Sequence, residues 1–130
     1  SVRVIDYKTG NLSGSDLACN QLEELFDPEA RNLKKEIIQA LVYSYILKQG
    51  YFRDKPVTAT VYAILKLNDG TFHPEVRAGK QVMEIGNHIE QWEELLKQVL
   101  SDIFSAKSSF SQTPHADRCV YCPYNEICRR

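Results

Sequence analysis

The sequence predicts an α/β fold in which helices flank a mixed sheet. Two runs rich in β-branched residues, at 2–7 and 57–67, predict strands. Apolar residues recur at helical spacing over 33–49 and again over 85–106. A chain that orders strand, helix, strand pair and helix in this way is typical of packed α/β layers.

The first half of the chain justifies the first strand and the first long helix. Apolar and polar residues alternate over 2–7, and the Gly- and Ser-rich segment that follows predicts a loop. Residues 16–26 predict a short helix capped by Ser15 or Asp16. Over 33–49 a wide apolar arc predicts a helix packed on the sheet, and Gly50 ends it. That arc consists of Ile37, Ile38, Leu41, Val42, Tyr45 and Ile46.

The second half of the chain predicts a strand pair, a helix and a tail. The run at 57–67 suits an inner strand, "NDG" at 68–70 predicts a turn, and Pro74 indicates that the next strand, at 71–77, lies at an edge or is interrupted. The helix predicted over 85–106 has a buried stripe formed by Ile89, Trp92, Leu95, Leu96, Val99 and Ile103. The tail at 107–130 shows no hydrophobic periodicity and has no core of its own. It therefore needs a constraint other than apolar packing to be ordered.

Bulk properties limit the function classes. With 130 residues the chain is the size of one domain, 1–130, and no apolar run approaches the roughly 20 residues of a membrane span. Because the net charge is −1, the chain cannot bind DNA through an overall positive charge. Without a leader the expected compartment is the cytoplasm. Four cysteines are too few for a disulfide scaffold, and clustered cysteines in the cytosol more often bind metal.

The stretch "DYKTG" begins at Asp6, at the end of the first strand. Because side chains in a strand alternate between faces, Asp6 and Lys8 leave on the same face. An aspartate oxygen can hold Mg²⁺, and a neighbouring lysine can position water and offset phosphate charge. From these residues alone, a surface salt bridge is the other interpretation.

Three motifs in order extend this pattern over nearly the whole chain. After "DYKTG", the helix carries Gln39 and Tyr43 in "QALVY", one turn apart on a shared face, and the tail carries "CVYCPYNEIC". In these motifs the chain resembles the PD-(D/E)XK nuclease superfamily, and within it the RecB/AddB-type exonucleases. The resemblance implies a restriction-endonuclease-like mixed sheet, incomplete at the N-terminus. It also implies Mg²⁺- or Mn²⁺-dependent hydrolysis of DNA phosphodiesters.

The resemblance assigns roles to individual residues. It implies that Asp6 and the carbonyl of Tyr7 bind the metal, that Lys8 orients the attacking water, and that Gln39 and Tyr43 face the metal or the DNA. The family's other catalytic Asp lies on the preceding strand, and only five residues precede Asp6. We therefore expect a carboxyl-terminal portion of a larger nuclease, weak or inactive by itself. Its partners would be DNA and a fused or separate helicase, with no membrane.

The cysteine tail allows several interpretations. The resemblance implies that Cys119, Cys122 and Cys128 hold a [4Fe–4S] cluster that ties down the tail, with a fourth, upstream cysteine absent here. Cys19 is the other candidate ligand, although "DLACNQL" favours an apolar helix position. Zinc bound by the three cysteines and His115, or an empty tail with reduced thiols, remain open.

Other residues favour structural roles. Four cations near the long helix are candidates for phosphate contacts, although solvated positions are favoured for them: Lys34, Lys35, Arg53 and Lys55. His73 and His88 are predicted at the surface, and Trp92 and Phe104 in the core rather than as base-stacking platforms. Two further functions stay open: a non-catalytic DNA-binding or scaffold module of the same fold, and a small metal-stapled interaction domain.

Overall fold

The centre of the molecule is a β-α-β unit. In the computed structural model, which describes residues 1–107, 109 and 111–129, strand β1 (Val2–Lys8) pairs in parallel with β3 (Val57–Ala63). Parallel neighbours need a crossover connection. Helix α1 (Lys35–Gly50) provides it and packs against both strands. The register places Asp6 beside Val61 and Lys8 beside Ala63.

Antiparallel contacts on the far side of β3 make the sheet mixed, as predicted. Thr58 bridges Glu84 and Thr60 bridges Glu75, both antiparallel. A second, three-stranded sheet has the order β2 (Ala18–Cys19), β4 (Arg77–Ala78) and β5 (Gln81–Val82). The predicted mixed α/β fold is thereby confirmed.

The core lies between the sheet and the two helices. From α1 it receives Ile37, Ala40 and Leu41, and from α2 (Ile89–Phe104) it receives Trp92. Trp92 is fully buried, and its ring centroid lies 5.4 Å from that of Phe26. Val2 and Val4 of β1 pack against this cluster. The same alternation then carries Asp6 and Lys8 onto the core-facing side, just where the apolar residues of β1 end.

A hydrogen-bonded group ties α1 to α2. Tyr45 Oη donates to Glu93 Oε1 at 2.7 Å, and Gln49 Nε2 donates to the same oxygen at 3.2 Å. The Tyr45 hydroxyl bond is the main reason why the pKa of Glu93 lies below its ordinary value, and Lys97 adds to the effect. Because the pKa of Glu93 is lower in the folded than in the unfolded protein, its carboxylate stabilises the fold at pH values above the unfolded-state pKa. This stabilisation is lost as the pH falls through the folded-state pKa.

Three predicted elements differ from the structure. Residues 16–26 form no α-helix; instead, the 3-10 turns Gly14–Leu17 and Leu22–Phe26 flank β2. Pairing of Ala18 and Cys19 with β4 forces extended backbone there, so tertiary contacts override the local preference. The strand at 57–67 ends at Ala63, and the predicted strand at 71–77 is reduced to one bridge and the two residues of β4.

The predicted buried stripe of the second helix is only partly buried. The helix begins at Ile89, after a 3-10 turn, Ile85–His88. Trp92 is buried and Leu95 and Leu96 pack on the core, but Ile103 is 60% exposed and Phe104 82% exposed. The prediction that Phe104 belongs to the core is wrong, because the helix extends past the end of the core.

The tail contacts the loop that precedes α1. His115 Nε2 lies 2.7 Å from the carbonyl of Glu29, Arg31 Nε lies 3.1 Å from Asp117 Oδ2, and Arg118 Nε donates to the carbonyl of Arg31 at 3.2 Å. Three residues of the predicted tail at 107–130 lie outside the described residues: Ser108, Phe110 and Arg130. None of the described helices is long and apolar enough to span a lipid bilayer.

Candidate nuclease site

Asp6 and Lys8 form an ion pair at the end of β1. Lys8 Nζ lies 3.1 Å from Asp6 Oδ2, and the two side chains are about one-quarter and one-fifth exposed, respectively. Their position follows from the strand, because residues two apart share a face and this face looks toward α1. The pair is thus open to solvent on one side and supported by the protein on the other.

Gln39 joins the pair from α1. Its Oε1 accepts a hydrogen bond from Lys8 Nζ at 2.5 Å, and its Nε2 donates to Tyr43 Oη at 2.8 Å. Gln39 and Tyr43 are four residues apart on a helix, so they lie on one face. The structure therefore brings together four of the side chains singled out in the sequence: Asp6, Lys8, Gln39 and Tyr43.

The network fixes the Lys8 ammonium group. An ammonium has three donor hydrogens, of which one is directed at Gln39 Oε1, while Asp6 Oδ2 is an ion-pair partner at 3.1 Å. Donor capacity therefore remains for a water or a phosphate oxygen. Because the Tyr43 hydroxyl accepts from Gln39, its own hydrogen is free to donate outward, and this residue is 43% exposed.

A comparison with protein families identifies the family of the chain. The family model of the PD-(D/E)XK nuclease superfamily matches residues 1–129. The chain belongs to the PD-(D/E)XK nuclease superfamily. Neither the search of curated proteins nor that of solved structures found a match.

PD-(D/E)XK nucleases generally use divalent metals such as Mg²⁺, and the Asp6 end of the site fits such an ion. Asp6 Oδ2 is buried and accepts no hydrogen bond from the described residues, since Lys8 approaches it without hydrogen-bond alignment. A buried carboxylate oxygen without a donor is an unfilled acceptor, which a hard cation satisfies.

The carbonyl of Tyr7 is also placed for a ligand. The N–H of Val2 donates to the carbonyl of Pro56 at 2.8 Å, so the even-numbered residues of β1 direct their backbone groups at β3. The backbone groups of Arg3, Ile5 and Tyr7 consequently face the opposite edge of β1, where no strand of the described residues pairs. The Tyr7 ring itself is exposed and stacks on Tyr62 at 6.0 Å.

The donor set present in this member of the superfamily is small. Across residues 1–107, 109 and 111–129, no three His, Cys, Asp or Glu side chains converge as a group that could hold a metal ion. Mg²⁺ is usually held by one or two carboxylates together with water and substrate phosphate. Asp6 and the Tyr7 carbonyl therefore suit a cation that is completed by the substrate.

The tail cysteines are separate from this site. Cys119, Cys122 and Cys128 are free thiols of intermediate burial, and the Cys122 N–H donates to the Cys119 carbonyl at 3.1 Å in a tight turn. Cys19 lies on β2 in the core, where its Sγ is 3.7 Å from the Arg77 carbonyl. Burial, and then Glu24, raise the pKa of the Cys19 thiol, which disfavours the thiolate that metals bind.

The remaining candidates occupy varied positions. Lys34 is half-buried, and its Nζ donates to the carbonyls of Ser15 and Ala18. Arg53 Nε donates to the Gln49 carbonyl, and Lys55 Nζ lies 5.9 Å from the Phe52 ring centroid. His73 is exposed and His88 half-buried, whereas His115 contacts Glu29 rather than a cysteine.

Proposed function

We propose that this chain is the carboxyl-terminal part of a RecB/AddB-type DNA exonuclease domain, with one domain over 1–130 and a cysteine tail over 107–130. It acts on DNA in the cytoplasm, in double-strand break repair and recombination, with a fused or separate helicase. The single observation that carries the proposal is the connected set Asp6–Lys8–Gln39 at the open end of β1. The superfamily match supports the substrate class.

Each residue of the set has a role in phosphodiester hydrolysis. Asp6 and the Tyr7 carbonyl would hold Mg²⁺ or Mn²⁺, which when bound would supply Lewis-acid polarisation of the phosphate. Lys8 holds a water in line with the phosphorus and offsets the growing negative charge. Gln39 keeps the Lys8 ammonium group in place, and Tyr43 donates to a phosphate oxygen. Removal of Gln39 would therefore act through Lys8.

The unpaired edge of β1 supports the proposal that the complete domain contains more chain. Unsatisfied N–H and C=O groups on a strand edge favour pairing with a further strand. A second acid supplied by that strand would give the cation its second carboxylate, in keeping with Mg²⁺ chemistry. We therefore propose that the 130-residue chain is weak or inactive alone, and that its activity depends on the preceding sequence.

A cleavage assay tests this proposal. Linear DNA is incubated in Mg²⁺ or Mn²⁺ with the 130-residue chain and with a longer polypeptide that includes the preceding sequence of the same gene. We expect metal-dependent loss of nucleotides from DNA ends with the longer polypeptide, abolished by EDTA. Absence of cleavage by the longer polypeptide in both metals would contradict the exonuclease proposal.

We also propose that the three tail cysteines bind an iron–sulfur cluster together with an upstream cysteine. The tail contains little apolar packing of its own, with Val120, Tyr121, Tyr124 and Ile127 exposed, so a metal centre would stabilise its fold. The tail also contacts Glu29 and Arg31, and these contacts support the proposal that such a metal centre would hold the tail against the loop before α1.

Anaerobic purification of the longer polypeptide tests the cluster. We expect the broad visible absorbance of thiolate–iron bands and about four iron atoms per chain. Cys122→Ser should remove the absorbance, whereas Cys19→Ser should leave it unchanged. Zinc found in place of iron would favour the zinc alternative. In that case the Cys122→Ser variant should retain zinc only when His115 is intact.

A non-catalytic DNA-binding module is the second candidate function. One observation favours it: among the described residues, Asp6 does not belong to a group of three side chains that could hold a metal ion. Such a module would bind DNA without metal-dependent cleavage. The assay above separates the two functions.

A further inference from the structure

A concave surface at the start of α1 collects three cations. This open depression of about 450 Å³ is lined by Arg31, Lys35 and Arg118, together with Asp16, Asn32 and Leu33. The cations come from three different places: the loop before α1, the first turn of α1 and the tail. We refer to it below as the basic depression.

Two of these cations have no acidic partner. Arg31 pairs with Asp117, but no carboxylate of the described residues lies within ion-pair distance of Lys35 or Arg118. One terminal nitrogen of Arg118 is buried without an acceptor, so its guanidinium is only partly satisfied. The one acid in the lining, Asp16, accepts hydrogen bonds from the N–H and the hydroxyl of Ser13.

The fold adds positive potential at the same point. The first N–H groups of a helix point outward and carry a partial positive charge, which favours anions within the first turn. Helix α1 begins at Lys35 and has 16 residues. On a protein of net charge −1, this is a local site for a negatively charged group.

The basic depression shares a stripe of α1 with the nuclease site. Lys35, Gln39 and Tyr43 are spaced by four residues, so they form one stripe along α1 with about 6 Å of axial rise between successive members. Gln39 contacts Lys8, as shown above. A polyanion lying along this stripe would reach from Lys8 to Lys35 without crossing the helix.

We propose that the basic depression binds a backbone phosphate of the nucleic-acid strand whose neighbouring phosphodiester lies at Asp6 and Lys8. The ligand class is a polynucleotide strand held through its phosphates, without base contacts. The tail contributes Arg118 to this site. The inference deepens the proposed function, since it adds a substrate contact one helical turn from the reacting group.

The test measures binding rather than cleavage, so that its failure is distinct from a failure of the nuclease proposal. A fluorescent single-stranded oligonucleotide is titrated with the 130-residue chain in EDTA at several salt concentrations, and the anisotropy is recorded. Lys35→Gln is the main variant, because Lys35 is exposed and makes no contact that holds the fold. Lys97→Gln, an exposed charge on α2, is the matched control.

We expect Lys35→Gln to weaken binding by about fivefold and to reduce the slope of log K against log salt by about 0.7, the loss of one phosphate contact. Arg118→Gln should give a similar reduction, and Lys97→Gln should change the slope by less than about 0.2. Polyphosphate, whose phosphates are joined directly and so lie closer together than those of a nucleic-acid strand, should compete only weakly, because it cannot place one phosphate in the basic depression and the next at Lys8.

Three results would overturn the proposal. The first is a wild-type chain that binds no oligonucleotide, and the second is a Lys35→Gln slope equal to that of Lys97→Gln. The third is competition by polyphosphate as strong as that of the oligonucleotide, per charge, which would reassign the basic depression to a general anion site.

Discussion

Lys8→Met is expected to reduce metal-dependent DNA cleavage by about 10³-fold while leaving the fold intact. Methionine keeps most of the length of the side chain but removes the ammonium that lies between Asp6 and Gln39. Removal of one preorganised charge that stabilises a transition state costs about 10²–10³ in rate. The rate of nucleotide release from linear DNA by the longer polypeptide is the quantity to measure.

The graded effects of neighbouring variants make this prediction specific. Gln39→Ala should reduce cleavage by about tenfold, less than Lys8→Met, because Gln39 acts by holding Lys8. Lys97→Met, an equal charge removal on α2, should leave the rate within about twofold. If Lys8→Met retained wild-type cleavage, the ammonium at this position would have no catalytic role.

Trp92→Ala is expected to lower the free energy of unfolding by about 3–5 kcal/mol, the usual cost of deleting a large buried aromatic side chain. Trp92 is fully buried on α2 and packs against Phe26. Because domains of this size are stable by only about 5–15 kcal/mol, this loss removes a large part of the margin. Urea denaturation followed by circular dichroism measures it.

A second position on the same helix provides the control. Leu100 lies two turns further along α2 and is 51% exposed, so Leu100→Ala should change the unfolding free energy by less than about 0.5 kcal/mol. Equal losses at Trp92 and Leu100 would mean that the C-terminal half of α2 is covered by protein, contrary to the packing described above.

The part of the site that depends on the periodicity of single elements could be predicted from the sequence. A period of two along β1 places Asp6 and Lys8 on one face, and a spacing of four along α1 aligns Gln39 with Tyr43. The direct contact between Lys8 and Gln39 is a feature of the tertiary structure. It depends on the crossover that packs α1 on β1, which periodicity alone does not specify.

The errors come from segments in which tertiary pairing or the extent of the core decides the outcome. Leucines at 17, 22 and 25 suggested a helix, yet each is buried from a 3-10 turn because β2 must pair with β4. Phe104 continues the helical period of α2 but lies beyond the core. Lys35 could be named from the sequence as a candidate phosphate contact, but the basic depression around it could not, because Arg118 reaches α1 from 83 positions away.

Binding of Mn²⁺ in the presence of DNA tests the central claim most directly. Electron paramagnetic resonance counts the ions bound by the longer polypeptide with a single-stranded oligonucleotide, for the wild-type protein and for Asp6→Asn and Lys8→Met. The account predicts that Asp6→Asn weakens the tightest site by at least about tenfold, whereas Lys8→Met retains it. Unchanged Mn²⁺ affinity in Asp6→Asn would show that the cation does not bind at the end of β1.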